Sequence, residues 1–500
     1  MTSFVMIRSM TTNDFETWFS QRQTLHQAVN AATRISSPSQ TAYLRGPKTS
    51  WTELEFASLW ERAPSKGTSN NLYVHVPFCK SICSFCNYDR LKPGSPEALK
   101  EWKHRLLASI ETLAPHTKHL RFQSLYFGGG TPSVLPAKIL KPVLVALDRS
   151  FHFRPGASRN IELDPANVNP GKVATLLEHG FKHYSFGVQT LKPERNAAHN
   201  RGSQDEDLVM RTLDILPGPL VGTVALDILI GLAGVSPDDT LADLGKLMAH
   251  PRQPQIDLFH LTATNSYIQS HFGGSPQAAA SWLAQYDETF DQALEALCDL
   301  HGYRVRNRES RHARILQPRR FRPSHIGPDL KRLARNTYRA LPHLRSGRLF
   351  KAFALGQGYT QLTSIARKPL NLLGLGPSAR SQIFGLASAQ TFPSAGSKGP
   401  THYLGQEMTL QEELRTFLAF EIRDRGSVKD RDFRRLFGMK LAEARPKTLK
   451  AWQRLDFARP VRGGWAFTRS SPSETAQMLL WSVPTDNLQH EIEKRRGPRS

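Results

Sequence analysis

Cysteine is scarce in this 500-residue sequence: four occur, and three of them, Cys79, Cys83 and Cys86, fall within eight positions of one another. So few thiols over this length exclude a disulfide framework, and the tight trio reads as metal or cluster ligation. Long apolar runs are also missing. The most apolar stretch, Gly218 to Gly234, is broken by Asp227 and is too short to span a bilayer. The opening MTSFVMIRSMTTNDF lacks the continuous apolar segment of a secretory signal. Both absences point to a cytoplasmic protein with no membrane partner. Acidic residues are outnumbered, 43 Asp and Glu against 66 Lys and Arg, for a formal charge of +23. Such an excess favours an anionic partner. No internal repeat or heptad run occurs, which excludes a solenoid and a coiled coil.

What is present is ample core material, 26 Phe and 8 Trp, and a length beyond the usual roughly 100–200 residues of a single domain. Residues 1–70 read as an N-terminal extension ending in the linker-like run Pro64 to Asn70. From residue 71 to 303 strands and helices alternate. Strands are expected at Leu72 to Val76, Ser124 to Phe127, Asn160 to Leu163, Tyr184 to Val188, Val221 to Ile230 and Ile256 to His260. Helices fit Pro96 to Leu113, Ala137 to Ser150, Lys172 to His179, Gln204 to Leu216, Asp238 to His250 and Ala278 to Leu300. Six such βα units predict an α/β fold, a partial (β/α)6 TIM-like barrel. Between Arg304 and Lys351 stand fifteen Lys and Arg against only Glu309 and Asp329, so residues 304–354 form a basic insertion. It reads either as a solvated loop or as a basic mouth for a polycarboxylate. No nucleic-acid-binding module is recognisable, and nucleic acid is not an expected partner. Residues 355–400 return to pack on the barrel. Residues 401–500, with helices at Leu410 to Arg425, Asp430 to Phe437 and Leu441 to Leu455 and a hairpin at Ala458 to Thr468, read as a small helical, winged-helix-like domain with a basic tail.

Cys79-Lys-Ser-Ile-Cys83-Ser-Phe-Cys86 puts three thiolates on one short loop after the first barrel strand. Electron-transfer clusters commonly take four cysteines; a fourth is missing nearby, which leaves one iron open to a small molecule. The alternative is a zinc site completed by His75 or Asp89. The spacing, with the aromatic Phe85 before the third cysteine, resembles the radical-SAM superfamily. That resemblance implies a [4Fe-4S] cluster whose open iron is chelated by S-adenosylmethionine, and reductive cleavage to a 5'-deoxyadenosyl radical. Gly128-Gly-Gly130-Thr-Pro132, after the second strand, fits the same picture, since glycines let backbone approach a ligand closely.

Further motifs narrow the resemblance: Tyr73 to Cys79, Tyr126 to Pro132, Glu162 to Pro165, Ser185 to Gln189, Asn200-Arg201, Asp227 to Leu232, Gly358 to Thr360 and Leu373 to Ala379 occur in the order of the oxygen-independent coproporphyrinogen III oxidase family. The family implies two S-adenosylmethionine molecules, a tetrapyrrole or other small-molecule substrate, and an electron donor such as flavodoxin or ferredoxin. By matching motif, Tyr73, Gly129 and Glu162 would contact the first molecule, with Tyr73 and Glu162 as the catalytic pair. Phe85, Gly130, Thr131, Gln189, Arg201, Asp227 and Thr262 would line the second site. The implied reaction is oxidative decarboxylation of propionates to vinyl groups. Related radical-SAM methyltransferases and heme chaperones share the pattern and remain alternatives. Three positions depart from it: Tyr88 where a further cysteine is common, Ala233 where a proline is common, and Arg380 in place of an apolar residue.

Overall fold

The computed structural model describes residues 12–32, 48–202, 204–216, 223–306, 313–319, 369–468 and 472–496. Most of the basic insertion and the Gly358 to Thr360 motif lie outside these residues. A short strand, β1 (Thr49–Thr52), precedes six parallel ones: β2 (Ser69–Val76), β3 (Phe122–Gly129), β4 (Phe153–Leu163), β5 (His183–Gln189), β6 (Thr223–Ile230) and β7 (Gln255–His260). Each passage from one parallel strand to the next runs through at least one helix, as parallel pairing requires. The six expected βα units are therefore present.

Side chains alternate between the two faces along the strands, and this alternation builds the site. Residues at one parity, such as Leu72, Val74 and Val76 on β2, Leu125 and Phe127 on β3, and Ile256 and Leu258 on β7, are buried in the main core with the flanking helices. Burying each such side chain contributes about 1.5–3 kcal/mol. Residues at the other parity, Tyr73 and His75, Tyr126, Glu162, Ser185, Asp227 and Asp257 among them, line a cavity at the carboxyl ends of the strands. A side-chain period of two in a sheet dictates this division.

The sheet is larger than the sequence suggested. Two strands inside or beside the basic stretch, β8 (Tyr303–Arg306) and β9 (Ala313–Pro318), form an antiparallel pair on β7. Buried Ile315 and Leu316 explain why this part of a charge-rich segment is ordered into the sheet. On the opposite side β10 (Leu370–Leu375) pairs parallel with β2. It is followed by the antiparallel strands β11 (Arg380–Ile383), β12 (Ala387–Phe392) and β13 (His402–Glu407), and β13 also pairs with β1. The order is β1-β13-β12-β11-β10-β2-β3-β4-β5-β6-β7-β9-β8, so β1 and β8 are free edges of an open barrel.

Two expected helices are broken. The one drawn from Ala278 to Leu300 is two, Pro276–Leu283 and Glu288–Leu300, because the Asp287 side chain caps the second by accepting from Thr289 and Phe290 N–H. The one drawn from Leu441 to Leu455 divides at Pro446, which starts a new helix, Pro446–Arg454. A short helix, Asn265–His271, was not foreseen.

Beyond β13, helix Leu410–Arg425 starts at a Thr409/Glu412 capping box and ends at left-handed Gly426. Strands β14 (Ser427–Lys429), β15 (Ala458–Val461) and β16 (Gly464–Phe467) form a second sheet in the order β14-β16-β15. With helices Asp430–Phe437 and Pro446–Arg454 this gives the expected winged-helix-like arrangement around Phe417, Phe433 and Trp452. Helix Thr12–Ala32 packs on the same core through Phe15 and Phe19. Its buried Arg22 donates to the carbonyls of Leu480, at 2.8 Å, and Val483.

Candidate functional site

The cysteine loop leaves β2 after Val76 and is pinned at its base. Cys79 N–H donates to Leu91 O at 3.0 Å, and Leu91 N–H to Pro77 O at 2.8 Å. Inside it, Cys86 N–H donates to Cys83 O at 3.2 Å. The Arg90 guanidinium donates to the carbonyls of Cys86, Tyr88 (2.7 Å) and Cys83 (3.5 Å), satisfying acceptors that a tight loop would otherwise leave bare. The three thiols are half-buried and face one cavity. Thr131 Oγ1 donates to Cys79 Sγ at 3.4 Å and Arg201 Nη1 to Cys83 Sγ at 3.8 Å. Burial pushes the Cys79 thiol up to about 11 and raises that of Cys86. Thiols raised in this way, as those of Cys79 and Cys86 are, ionise readily only against a compensating positive charge, which is what iron ligation supplies. Cys298, by contrast, is buried in the core from helix Glu288–Leu300.

The donor set fits a cluster better than a single ion. Among the described residues no three Cys, His, Asp or Glu are placed to hold one metal ion. The residues a zinc site would need are committed elsewhere. His75 Nδ1 bonds Tyr73 Oη at 2.9 Å and its Nε2 bonds Asp89 O at 2.9 Å. Asp89 Oδ2 accepts from Ser378 Oγ and from Ala395 N–H at 3.1 Å. A cubane would instead take the three thiolates on three separate irons and leave the fourth iron open.

The glycine turn after β3 is shaped by close approach. A Cβ on Gly129, whose φ is +109°, would stand 2.5 Å from His75 Cε1, and one on Gly130 would stand 2.8 Å from Phe78 O. Only glycine permits the loop to lie this near the cysteine segment. Glu162, at the end of β4, accepts from Tyr126 Oη at 2.7 Å and from Gly129 N–H at 3.1 Å. Burial raises its pKa while these two donors oppose the rise. Asp227 on β6 accepts from Ser185 Oγ at 3.2 Å to each oxygen. Burial first, then the neighbouring Asp257 and Glu162, drive its pKa well above the usual carboxylate range. Gln189, left-handed at φ +70°, sits at an irregularity in the β5 to β6 pairing. Arg201 donates to Gly187 O and lies 4.0 Å from Asp164.

Every residue named from the sequence as a cluster or cofactor ligand lines this one cavity of about 690 Å³, Phe85 and Thr262 included. The volume falls within the ~300–1,000 Å³ of ordinary ligand sites. The structure adds residues that sequence reasoning passed over. Tyr126 stands on the inward parity of β3, a signal the alternation carried, and so on β2 does His75, which the sequence offered only as a zinc ligand. Asp257 is the register partner of Asp227 on the next strand, a charged residue in an apolar strand. Arg90 had no local signal, since its partners are backbone carbonyls.

The profile of the Radical SAM superfamily matches residues 73–244. An oxygen-independent coproporphyrinogen III oxidase of Paracoccus denitrificans (strain Pd 1222) is 30% identical over 191 residues, 38% of this chain and 42% of that protein. A heme chaperone of Mycobacterium tuberculosis (strain CDC 1551 / Oshkosh) is 31% identical over 183 residues, 35% of this chain and 46% of its own length. The chain thus spans under half the length of these curated relatives. A solved coproporphyrinogen III oxidase from Escherichia coli, described as a radical-SAM enzyme, superposes with a TM-score of 0.63 at 19% identity, covering 86% of this chain and 93% of that one. That likeness is one of fold. Among the described residues no helix is long and apolar enough to cross a membrane.

Proposed function

We propose that this chain is a radical-SAM enzyme of the group that holds the oxygen-independent coproporphyrinogen III oxidases, and that it carries out oxidative decarboxylation of a propionate-bearing tetrapyrrole. The observation that carries the reading is the convergence of the three-thiol loop, Glu162, Arg201 and Asp227 on one cavity. Cys79, Cys83 and Cys86 would hold a [4Fe-4S] cluster, which when bound and reduced supplies the electron that cleaves S-adenosylmethionine to a 5'-deoxyadenosyl radical. The protein's part is to bind, orient and exclude water.

Glu162, with one side fixed by Tyr126 and Gly129, is set to accept from the amino or hydroxyl groups of the first S-adenosylmethionine, with Tyr73 beside it. The Arg201 fork suits a carboxylate, and Asp227, whose protonated form burial favours, can in that form donate a hydrogen bond as well as accept one. With Phe85, Gly130, Thr131, Gln189 and Thr262 they would form a second cofactor pocket. On coproporphyrinogen III, one hydrogen atom leaves a propionate side chain, then CO2 departs and one electron passes to an acceptor, leaving a vinyl group. The protein's positive charge suits a substrate with four carboxylates.

Anaerobic cluster reconstitution followed by mass spectrometry of S-adenosylmethionine products with coproporphyrinogen III tests this. 5'-Deoxyadenosine and CO2 in step with a vinyl product are expected. S-adenosylhomocysteine with a methylated product would overturn the oxidase reading in favour of a methyltransferase. A second reading, a heme-binding chaperone, is favoured by the similarity to the mycobacterial protein. It predicts stable heme binding without substrate-dependent 5'-deoxyadenosine.

A further inference from the structure

Beside the cysteine loop, outside the residues that line the cavity, lies a half-buried polar network that neither the cluster nor the cofactor sites account for. Ser84, between Cys83 and Phe85, donates its backbone N–H to His199 O at 3.0 Å. Its hydroxyl lies 3.1 Å from His199 Nδ1 and 2.8 Å from His271 Nε2. The other nitrogen of His199, Nε2, lies 3.1 Å from the carbonyl of Ala233. A carbonyl only accepts, so Nε2 carries the proton, and Nδ1 of the neutral ring is an acceptor. Directions follow around the network: Ser84 O–H donates to His199 Nδ1, and His271 Nε2–H donates to Ser84 Oγ.

The His199 ring is fully buried, stacks on Tyr267 with centroids 5.6 Å apart and meets Phe85 edge-on at 6.1 Å. Tyr267 Oη in turn accepts from Ala233 N–H at 2.9 Å. Two residues on, in the same turn, Arg201 reaches Cys83 Sγ. The turn at residues 199–201 therefore grips the loop twice, at Ser84 through backbone and imidazole and at Cys83 through the guanidinium.

We propose that His199 is a positioning residue for the cluster loop, locking the segment from Cys83 to Cys86 onto the end of β6 and setting Arg201 against the Cys83 sulfur. The proposal rests on the reading of this loop as a cluster site. Hydrogen bonds and charge at cluster sulfurs raise the reduction potential, and supporting residues of this kind typically matter by about 10–100-fold in metal affinity or activity.

The test compares the full chain with Ser84→Ala, His199→Phe, His199→Asn and the Ser84→Ala/His199→Phe pair after anaerobic reconstitution. Read out are iron release to a chelator, the electron paramagnetic resonance spectrum of the reduced cluster and its midpoint potential. His199→Phe keeps the aromatic packing and removes both hydrogen bonds of the ring. Expected are roughly tenfold faster iron release, an altered spectrum and a more negative potential. Ser84→Ala gives the same changes in milder form, and the double variant is no worse than His199→Phe alone. His199→Asn, which can still accept from Ser84, recovers most of the parent behaviour. A loaded parent with variants of unchanged release, spectrum and potential overturns this inference alone, as do fully additive effects of the two substitutions. A parent that takes up no cluster overturns it together with the proposed function.

Discussion

Asp257→Asn is expected to stabilise the cluster-free protein at neutral pH and to lose that advantage in acid. Asp227 and Asp257 are register partners on β6 and β7, and both line the cavity. Burial lifts Asp257 from its ordinary 3.8 to about 6, and its charge helps to drive Asp227 higher still. A carboxyl whose folded pKa lies above its unfolded one favours the fold when protonated. That contribution is complete below 3.8 and is lost as pH rises through about 6. A rise from 3.8 to about 6 is worth about 3 kcal/mol once the group is ionised in both states. Water in the open cavity screens part of it, so about 1.5–3 kcal/mol is expected above pH 7, falling to about half at pH 5. Asparagine keeps the shape and the acceptor that takes Gln255 Nε2–H at 2.8 Å. Denaturant unfolding of parent and variant at pH 5, 6.5 and 8 reads the difference directly. A gap of constant size across that range, or a parent more stable than the variant at pH 8, would refute the assignment of the cost to a buried ionised carboxylate.

Gly129→Ala should cost about 2–4 kcal/mol, because it combines a left-handed φ with a Cβ driven into the His75 ring; thermal unfolding with S-adenosylmethionine titration measures it, and an unchanged midpoint would contradict the close packing. Cys79→Ala, Cys83→Ala and Cys86→Ala should each abolish a full cluster and S-adenosylmethionine cleavage, whereas Cys298→Ala, altering only a core side chain, should keep the iron content by colorimetric assay. Arg201→Lys replaces a planar fork with a point charge and should weaken binding at the proposed second cofactor pocket by roughly tenfold or more; equilibrium binding of S-adenosylhomocysteine checks this. Arg22→Ala removes donors buried against Leu480 and Val483 carbonyls and should destabilise the C-terminal helices by about 2–4 kcal/mol, visible as an earlier unfolding step in calorimetry.

What the sequence made legible was whatever depends on local pattern. Motif resemblance picked out Tyr73, Glu162 and Asp227, which line the cavity, and helices Pro96–Leu113 and Ala137–Ser150 were bounded to the residue. What it hid were pairings between distant segments. Seven residues after β7, the side chain of Tyr267 receives the Ala233 N–H, and no periodicity in Asn265–His271 announces this. The strands from Arg380 to Glu407 were invisible for another reason. They are short, rich in Ser, Ala, Gln and Gly, and acquire β structure only by pairing in a meander next to β10. Ile315 and Leu316 were masked by the arginines around them.

The three departures from the family pattern fall in the walls and supports of the site, and none removes a cluster ligand. Tyr88 stands in the cavity wall, 55% exposed, where its carbonyl is held by Arg90. A fourth thiol at that place would add nothing to a loop that already offers three corners. Arg380 lines the same cavity and brings a cation where an apolar contact was expected, which suits an anionic ligand group. Ala233 has a clearer consequence. A proline there has no N–H, so the bond from residue 233 to Tyr267 Oη requires a residue other than proline, and Tyr267 is the ring on which His199 stacks. Ala233→Pro should therefore weaken the hold on Ser84 without touching a thiol. Its effect on iron release should follow that of His199→Phe, and a variant that released iron at the parent rate would separate the Tyr267 stack from the support of the loop.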